Sequence, residues 1–432
     1  MKRKKTPALV IAAFALASAL GTAFPLYAQP TNSMIASAAK EKPALLDTLR
    51  ELVSIESGSR HYQGLSKLSG IIGQKLENLG GRVEFIEPKN IYKMADTPDK
   101  IGRIVRATFT GTGTKKLMLM AHMDTVYPQG TLAKQPFRLE KDRAYGLGIA
   151  DDKQGIAVIL HTLAILKALN FRNYGRLTVL INGDEEISSP GSRSLITELG
   201  AEHDAVFSLE PSEARSDKIS LATSGIASVT LMVKGRAAHS GFAPEQGVNA
   251  LYELAHQILQ TRDLSNPTTG LKMNWTLANA GTTRNMIPPN AQAAADVRVL
   301  RAADYDEIEK KIRERLKGQL LPEAKIEMHF ERRRPPLEAS EASRAFAQHA
   351  QRVYRELGKE LIVNDQPEGG GTDAAFAALN TKGPILERLG LQGYGAHSAE
   401  AEYVLVDSII PRLYLLARLI MDISQGKFLP PK

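Results

Sequence analysis

The sequence predicts an α/β protein: a mainly parallel mixed sheet flanked by helices, interrupted by a smaller ferredoxin-like βαββαβ domain of α+β type. Three observations carry this. Short, continuous apolar runs at 117–121, 177–181 and 205–209 are the mark of strands buried on both faces. An amphipathic segment at 154–169 separates two of them, as a crossover helix does between parallel strands. From about residue 224 the texture changes to period-two alternation, which belongs to strands with one buried face. The 432 residues, 43% of them hydrophobic, also exceed what one compact core usually holds.

Taken in order, the chain opens with Met1-Lys2-Arg3-Lys4-Lys5, an uncharged Ala- and Leu-rich run over 8–20, and Pro25-Leu26-Tyr27-Ala28. This reads as a secretory signal cleaved near Ala28, with a periplasmic or secreted product and no stable membrane anchor. The apolar run is roughly 13 residues, against about 20 for a spanning helix. Over 44–80 apolar residues recur at helical spacing (Leu45, Leu49, Leu52 and Val53, then Leu68, Ile72 and Leu76), giving two helices. The buried strands follow. In the alternating region, strands around Ala227, Val229, Leu231 and Val233, at 274–277, at 291–299 and near Phe330 are interleaved with helices at 248–258 and 305–316. That order is the split βαβ arrangement. After Pro335-Pro336 come a helix over 343–357, the turn Gly369-Gly370-Gly371 and a closing helix over 408–423. Residues 224–333 therefore read as an insertion into a discontinuous domain of 40–223 and 334–428.

The formal charge of +8 includes four basic and no acidic residues in the leader, leaving 8 − 4 = +4 for the rest. Beyond Arg332-Arg333-Arg334 no basic stripe with interleaved aromatics appears, which argues against a nucleic-acid partner. A small anionic substrate suits the same sign. Without cysteine, any metal must be held by nitrogen and oxygen.

His122-Met123-Asp124, Asp184-Glu185-Glu186 and Glu210 each follow a predicted buried strand. In α/β sheets such strand ends converge on one crevice. Asp151-Asp152-Lys153 precedes the crossover helix, and His397 comes from the far end of the chain. A pair of ions sharing one carboxylate needs one histidine and one acid apiece plus the bridge, and His122, Glu210, Glu186, His397 and Asp151 supply that count. Asp124 is placed to fix the His122 tautomer. Glu185 is left over, free to take a proton from the metal-bridging water and return it to the leaving amine. Singly, each has an ordinary reading: a strand-end pair, a solvated turn, acids capping a helix, a surface histidine.

The segments AHMDTVYPQG, GLGIADDKQG, INGDEE, SLEPS, KGRAAHSG, RNMIPP, GGGTDAA and GAHSAEAEYV resemble, in order and spacing, the co-catalytic dizinc aminoacylase and carboxypeptidase family, in particular its bacterial glutamate carboxypeptidases that hydrolyse folates. The resemblance covers nearly all of the chain after the leader. It implies two Zn2+ per chain, although nitrogen and oxygen donors also accept Co2+ or Mn2+. His122, Glu210 and bridging Asp151 would hold one ion, and Glu186, His397 and Asp151 the other, with Glu185 as general base and acid. It implies a homodimer through the inserted domain, and His239 stabilising the oxyanion, from its own chain or from the partner's. Arg298 and Asn285 would receive the substrate α-carboxylate, Lys218 and Arg334 a glutamate side chain, and Gly370, Gly371 and Thr372 would allow close backbone approach. Gln154 departs from a glycine often found after DDK, and Arg333 and Pro336 depart around Arg334.

The expected reaction is hydrolysis of the amide to a C-terminal glutamate in an acyl or peptidyl glutamate. Within the same chemistry, a dipeptidase or N-acyl amino acid deacylase is the alternative. The non-enzymatic rival is a periplasmic protein that binds acidic ligands, which needs Arg298 and Lys218 but not Glu185.

Overall fold

A computed structural model describes residues 28–398 and 401–428; the expected leader lies outside them except for Ala28. No helix among the described residues is long and apolar enough to cross a membrane.

The larger sheet has six strands in the order Arg82–Ile86, Ile104–Thr110, Arg176–Asn182, Lys116–His122, Ala205–Ser208 and Ile385–Leu386. The last four run parallel, and the first two pair antiparallel at one edge. Lys116–His122 shows why its run at 117–121 is apolar without a break. Leu117 and Leu119 enter a core shared with helices Ala28–Val53, Gln154–Ala168 and Ile409–Ser424, while Met118 and Met120 enter a second core with helices Arg193–Glu202 and Ala374–Ala378. With both faces covered, alternation disappears. The strands Arg82–Ile86 and Ile104–Thr110, which carry arginines and a glutamate, were not legible as apolar runs.

The first helix starts at Ala28 and continues through Pro43 rather than beginning near residue 44. Proline inside a helix removes one backbone hydrogen bond. Met34 and Ala38, buried at 1% and 0% exposure, anchor the extra turns against the core, so tertiary packing outweighs the local penalty.

The smaller sheet is antiparallel, in the order Lys272–Ala280, Asn290–Val299, Gly225–Lys234 and Lys325–Arg334, with helices Ala250–Thr261 and Asp304–Arg315 against it. Its inward residues, Ala227, Val229, Leu231 and Val233, are at most 1% exposed, as the alternation predicts. The last strand runs on from Phe330 to Arg334.

A third sheet, of strands only two or three residues long, gave no periodic signal. It joins Arg138–Glu140, Arg143–Tyr145, Tyr403–Leu405, Gln392–Tyr394 and Ser212–Glu213. This sheet gathers the chain just before Asp151, just after Glu210 and on both sides of His397, and so delivers the distant histidine to the strand ends.

Candidate dinuclear metal centre

His122 ends its strand 2% exposed. Its Nε2 lies 2.9 Å from Asp151 Oδ1 and 3.5 Å from Glu210 Oε1. His397 Nε2 lies 3.4 Å from Asp151 Oδ2 and 3.2 Å from Glu186 Oε2. Each oxygen of Asp151 thus faces a different histidine and acid pair, which is what a bridging carboxylate requires. Within each triad the donor atoms lie within 4.8 Å of one another. Ligands about 2.0–2.1 Å from a tetrahedral ion stand roughly 3.3 Å apart, so the spacing fits two small dications.

The electrostatics favour the same reading. Burial pushes the carboxyls of Glu185 and Glu210 well above the ordinary range and that of Glu186 up to about 7, with neighbouring acids adding to the rise. Burial lowers the His122 imidazole, but its hydrogen bonds to Asp124 and Asp151 outweigh that and leave it well above its usual value. Burial also raises Asp151, and His122 and His397 more than offset it. So many buried acids around two imidazoles are short of positive charge. Two dications would supply what is missing.

Backbone ties hold the cradle. Asp124, fully buried, lies 3.3 Å from His122 Nδ1 and accepts the backbone N–H groups of Glu185 and Glu186, both at 3.1 Å, and the Ser59 hydroxyl at 2.7 Å. It orients the imidazole and fixes the acidic turn together. Glu402, not singled out from sequence except within the last motif, accepts the N–H groups of Gly148, Ala150 and Asp151 at 3.0, 2.8 and 3.0 Å and the Tyr127 hydroxyl at 2.6 Å. It clamps the loop carrying the bridge. Gln154 is buried and donates to Asp152 at 2.7 Å and to the Leu209 carbonyl at 2.8 Å, beside Glu210.

Glu185 belongs to neither triad. Its Oε1 lies 2.9 Å from Arg334, which also donates to its backbone carbonyl at 2.7 Å. A carboxylate beside the centre but outside the ligand set can carry a proton.

A cavity of about 750 Å³ opens over the cradle, lined by Asp151, Glu185, Glu186, Glu210 and His397 and also by Arg298, Arg334, Gly370 and Gly371. Arg298 is paired with Asp296 at 2.8 Å and donates to the Gly369 carbonyl at 3.0 Å. Thr372 is fully buried. A Cβ on Gly371 would stand 2.6 Å from Arg334 Cδ, so glycine is needed there for packing.

The other sequence candidates fall elsewhere. Arg334 reaches the cavity, but its guanidinium is engaged by Glu185 and by Asp373 at 2.6 Å. Lys218 is not among the lining residues; Glu368 at 2.7 Å and Glu213 at 2.9 Å neutralise it. His239 and Asn285 adjoin one another on the smaller domain, both exposed and outside the cavity lining. His239 Nδ1 accepts the N–H groups of Gly241 and Phe242, which leaves Nε2 to carry the proton.

Residues 118–422 match the model of peptidase family M20/M25/M40. The chain is 44% identical to carboxypeptidase G2 of Pseudomonas sp. (strain RS-16) over 96% of its own length and 98% of that protein's. The chain belongs to peptidase family M20/M25/M40. The M20 fold is also shared with the aminopeptidase PepT of Bacillus cereus (TM-score 0.70, 22% identity, 89% of this chain and 99% of that one). More distant M20 resemblance reaches the acetylornithine deacetylase of Proteus mirabilis, 28% identical over 63% of this chain and 72% of that protein.

Proposed function

We propose that this M20 protein is an exported, zinc-dependent carboxypeptidase that releases C-terminal glutamate from acyl or peptidyl glutamates, folates among them. The carrying observation is the placement of Asp151 between two histidine and acid pairs, with Glu185 beside them and outside both. Zn2+ held by His122, Asp151 and Glu210, and by Asp151, Glu186 and His397, would polarise the scissile carbonyl and lower the pKa of the attacking water. Glu185 accepts the proton of that water and passes it to the departing amine nitrogen, and Arg334 keeps its carboxylate aimed. Arg298 receives the substrate α-carboxylate with its planar fork, with Gly370 and Gly371 forming the adjoining wall.

His239 and Asn285 complete the site from a second copy of the chain. Supporting this is the exposure of both, together with the exposed apolar side chains Leu251, Tyr252 and Leu259 of a helix on the same domain. The 44% identity to carboxypeptidase G2 favours the carboxypeptidase reading over the deacylase one. The test is amino-acid release from a panel of pteroyl and benzoyl amino acids by the metal-loaded protein. Preference for neutral C-terminal residues would defeat the glutamate assignment, and binding without cleavage would favour the ligand-binding rival. N-terminal sequencing of protein recovered from the periplasm checks the leader.

A further inference from the structure

We infer that Arg388 is the specificity-determining cation that reads the side-chain carboxylate of the departing glutamate; the inference rests on the glutamate reading above. Lys218 and Arg334 are each held by two acids, and Lys218 does not reach the cavity. Arg333 lines it, but is paired with Asp96 at 2.9 Å and Glu331 at 2.8 Å. Arg298 is assigned to the α-carboxylate.

Arg388 differs from all of these. It lines the same cavity with its side chain 26% exposed, and among the described residues the acid it pairs with is Glu368, which stands 3.3 Å away and is shared with Lys218. Most of its five N–H donors are therefore available for a second carboxylate.

The backbone shows how the side chain is aimed. Glu387 pairs with Ser220 through N–H to carbonyl contacts of 3.0 and 2.9 Å, Leu389 donates to the Ser208 carbonyl at 3.1 Å and Gly390 to that of Glu210 at 3.0 Å. Arg388 is thus pinned between strand ends next to a metal-ligating residue. Its φ of +65° is a left-handed conformation that a long L side chain seldom adopts, and such residues gather at functional sites. Arg412 donates to its carbonyl at 3.0 Å and helps hold the kink.

The experiment compares N-benzoyl-L-glutamate with N-benzoyl-L-glutamine, which differ only in charge at the side chain, on the zinc-loaded protein. Arg388→Gln should lower kcat/KM for the glutamate substrate about 10- to 100-fold, chiefly through KM, while the glutamine substrate changes little and reports intact folding. Arg388→Lys should retain part of the preference, because the charge remains and the fork is lost. An unchanged glutamate preference in Arg388→Gln, or an equal loss on both substrates, overturns the inference. A wild-type protein with no preference overturns the glutamate reading itself.

Discussion

His122 ends a strand and His239 follows one, yet the cradle and the smaller domain treat them oppositely. His122 is buried and engaged at both ring nitrogens. His239 stands exposed, with Nδ1 satisfied by its own turn. One is complete within its own domain, and the other, in the proposed function, would be finished by a second copy of the chain. The difference separates what a single chain brings together, the candidate metal centre, from what substrate capture and the proposed second copy would add.

Chelation should produce the largest effect. Prolonged dialysis against a chelator abolishes hydrolysis and lowers Tm by several degrees, since ions that bind only the folded state stabilise it; zinc restores both. Elemental analysis of the active protein should give about two ions per chain. Glu185→Gln comes next, with kcat down about 100- to 10,000-fold and metal content unchanged. Loss of metal from that variant would put Glu185 inside the cradle.

His239→Ala tests the other half of the contrast. Losing an oxyanion donor costs about 100- to 1,000-fold in kcat, here with metal content and Tm preserved. Mixing and reassembling this variant with Glu185→Gln should restore about a quarter of wild-type activity if each site borrows His239 from a partner, because half the dimers then carry one intact site. No recovery on mixing would return His239 to its own chain.

The same contrast explains what could be read from the sequence. His122, Glu186 and Glu210 were visible because buried strands announce themselves as apolar runs and ligands gather at their ends. His397 was identified as a ligand, but its route to the site was hidden, since the strands that deliver it are too short for periodicity. Glu402 was invisible as a clamp because a buried glutamate accepting three backbone N–H groups leaves no spacing signature. Arg334 and Lys218 were legible as cations; of the acids that occupy them, Glu185, Asp373 and Glu368 lie far away in sequence, and only Glu213 is close, five residues from Lys218.

Glu402→Gln should act on the metal rather than on the substrate. Weakening the clamp on the loop carrying Asp151 is expected to reduce metal affinity about 10- to 100-fold, the usual size for a residue that orients ligands, measured by competition with a chromogenic chelator. With excess zinc, kcat should recover most of its value.

Gln154 gives the smallest expected effect and the finest distinction between holding a site and forming it. Its amide joins Asp152, the Leu209 carbonyl and the Leu391 N–H, and the absence of a side chain on Gly390 makes room for it, since a Cβ there would lie 2.3 Å from Gln154 Nε2. Gln154→Ala leaves these buried groups short of partners, at about 1–3 kcal/mol for each that water cannot reach. Tm should fall by a few degrees while kcat/KM stays within about threefold, because no ligand atom is touched and an ordered water can take up part of the load. A tenfold fall in kcat/KM with Tm unmoved would mean instead that Gln154 sets the position of Glu210, and the cradle would then depend on packing behind its strand ends as much as on the ends themselves.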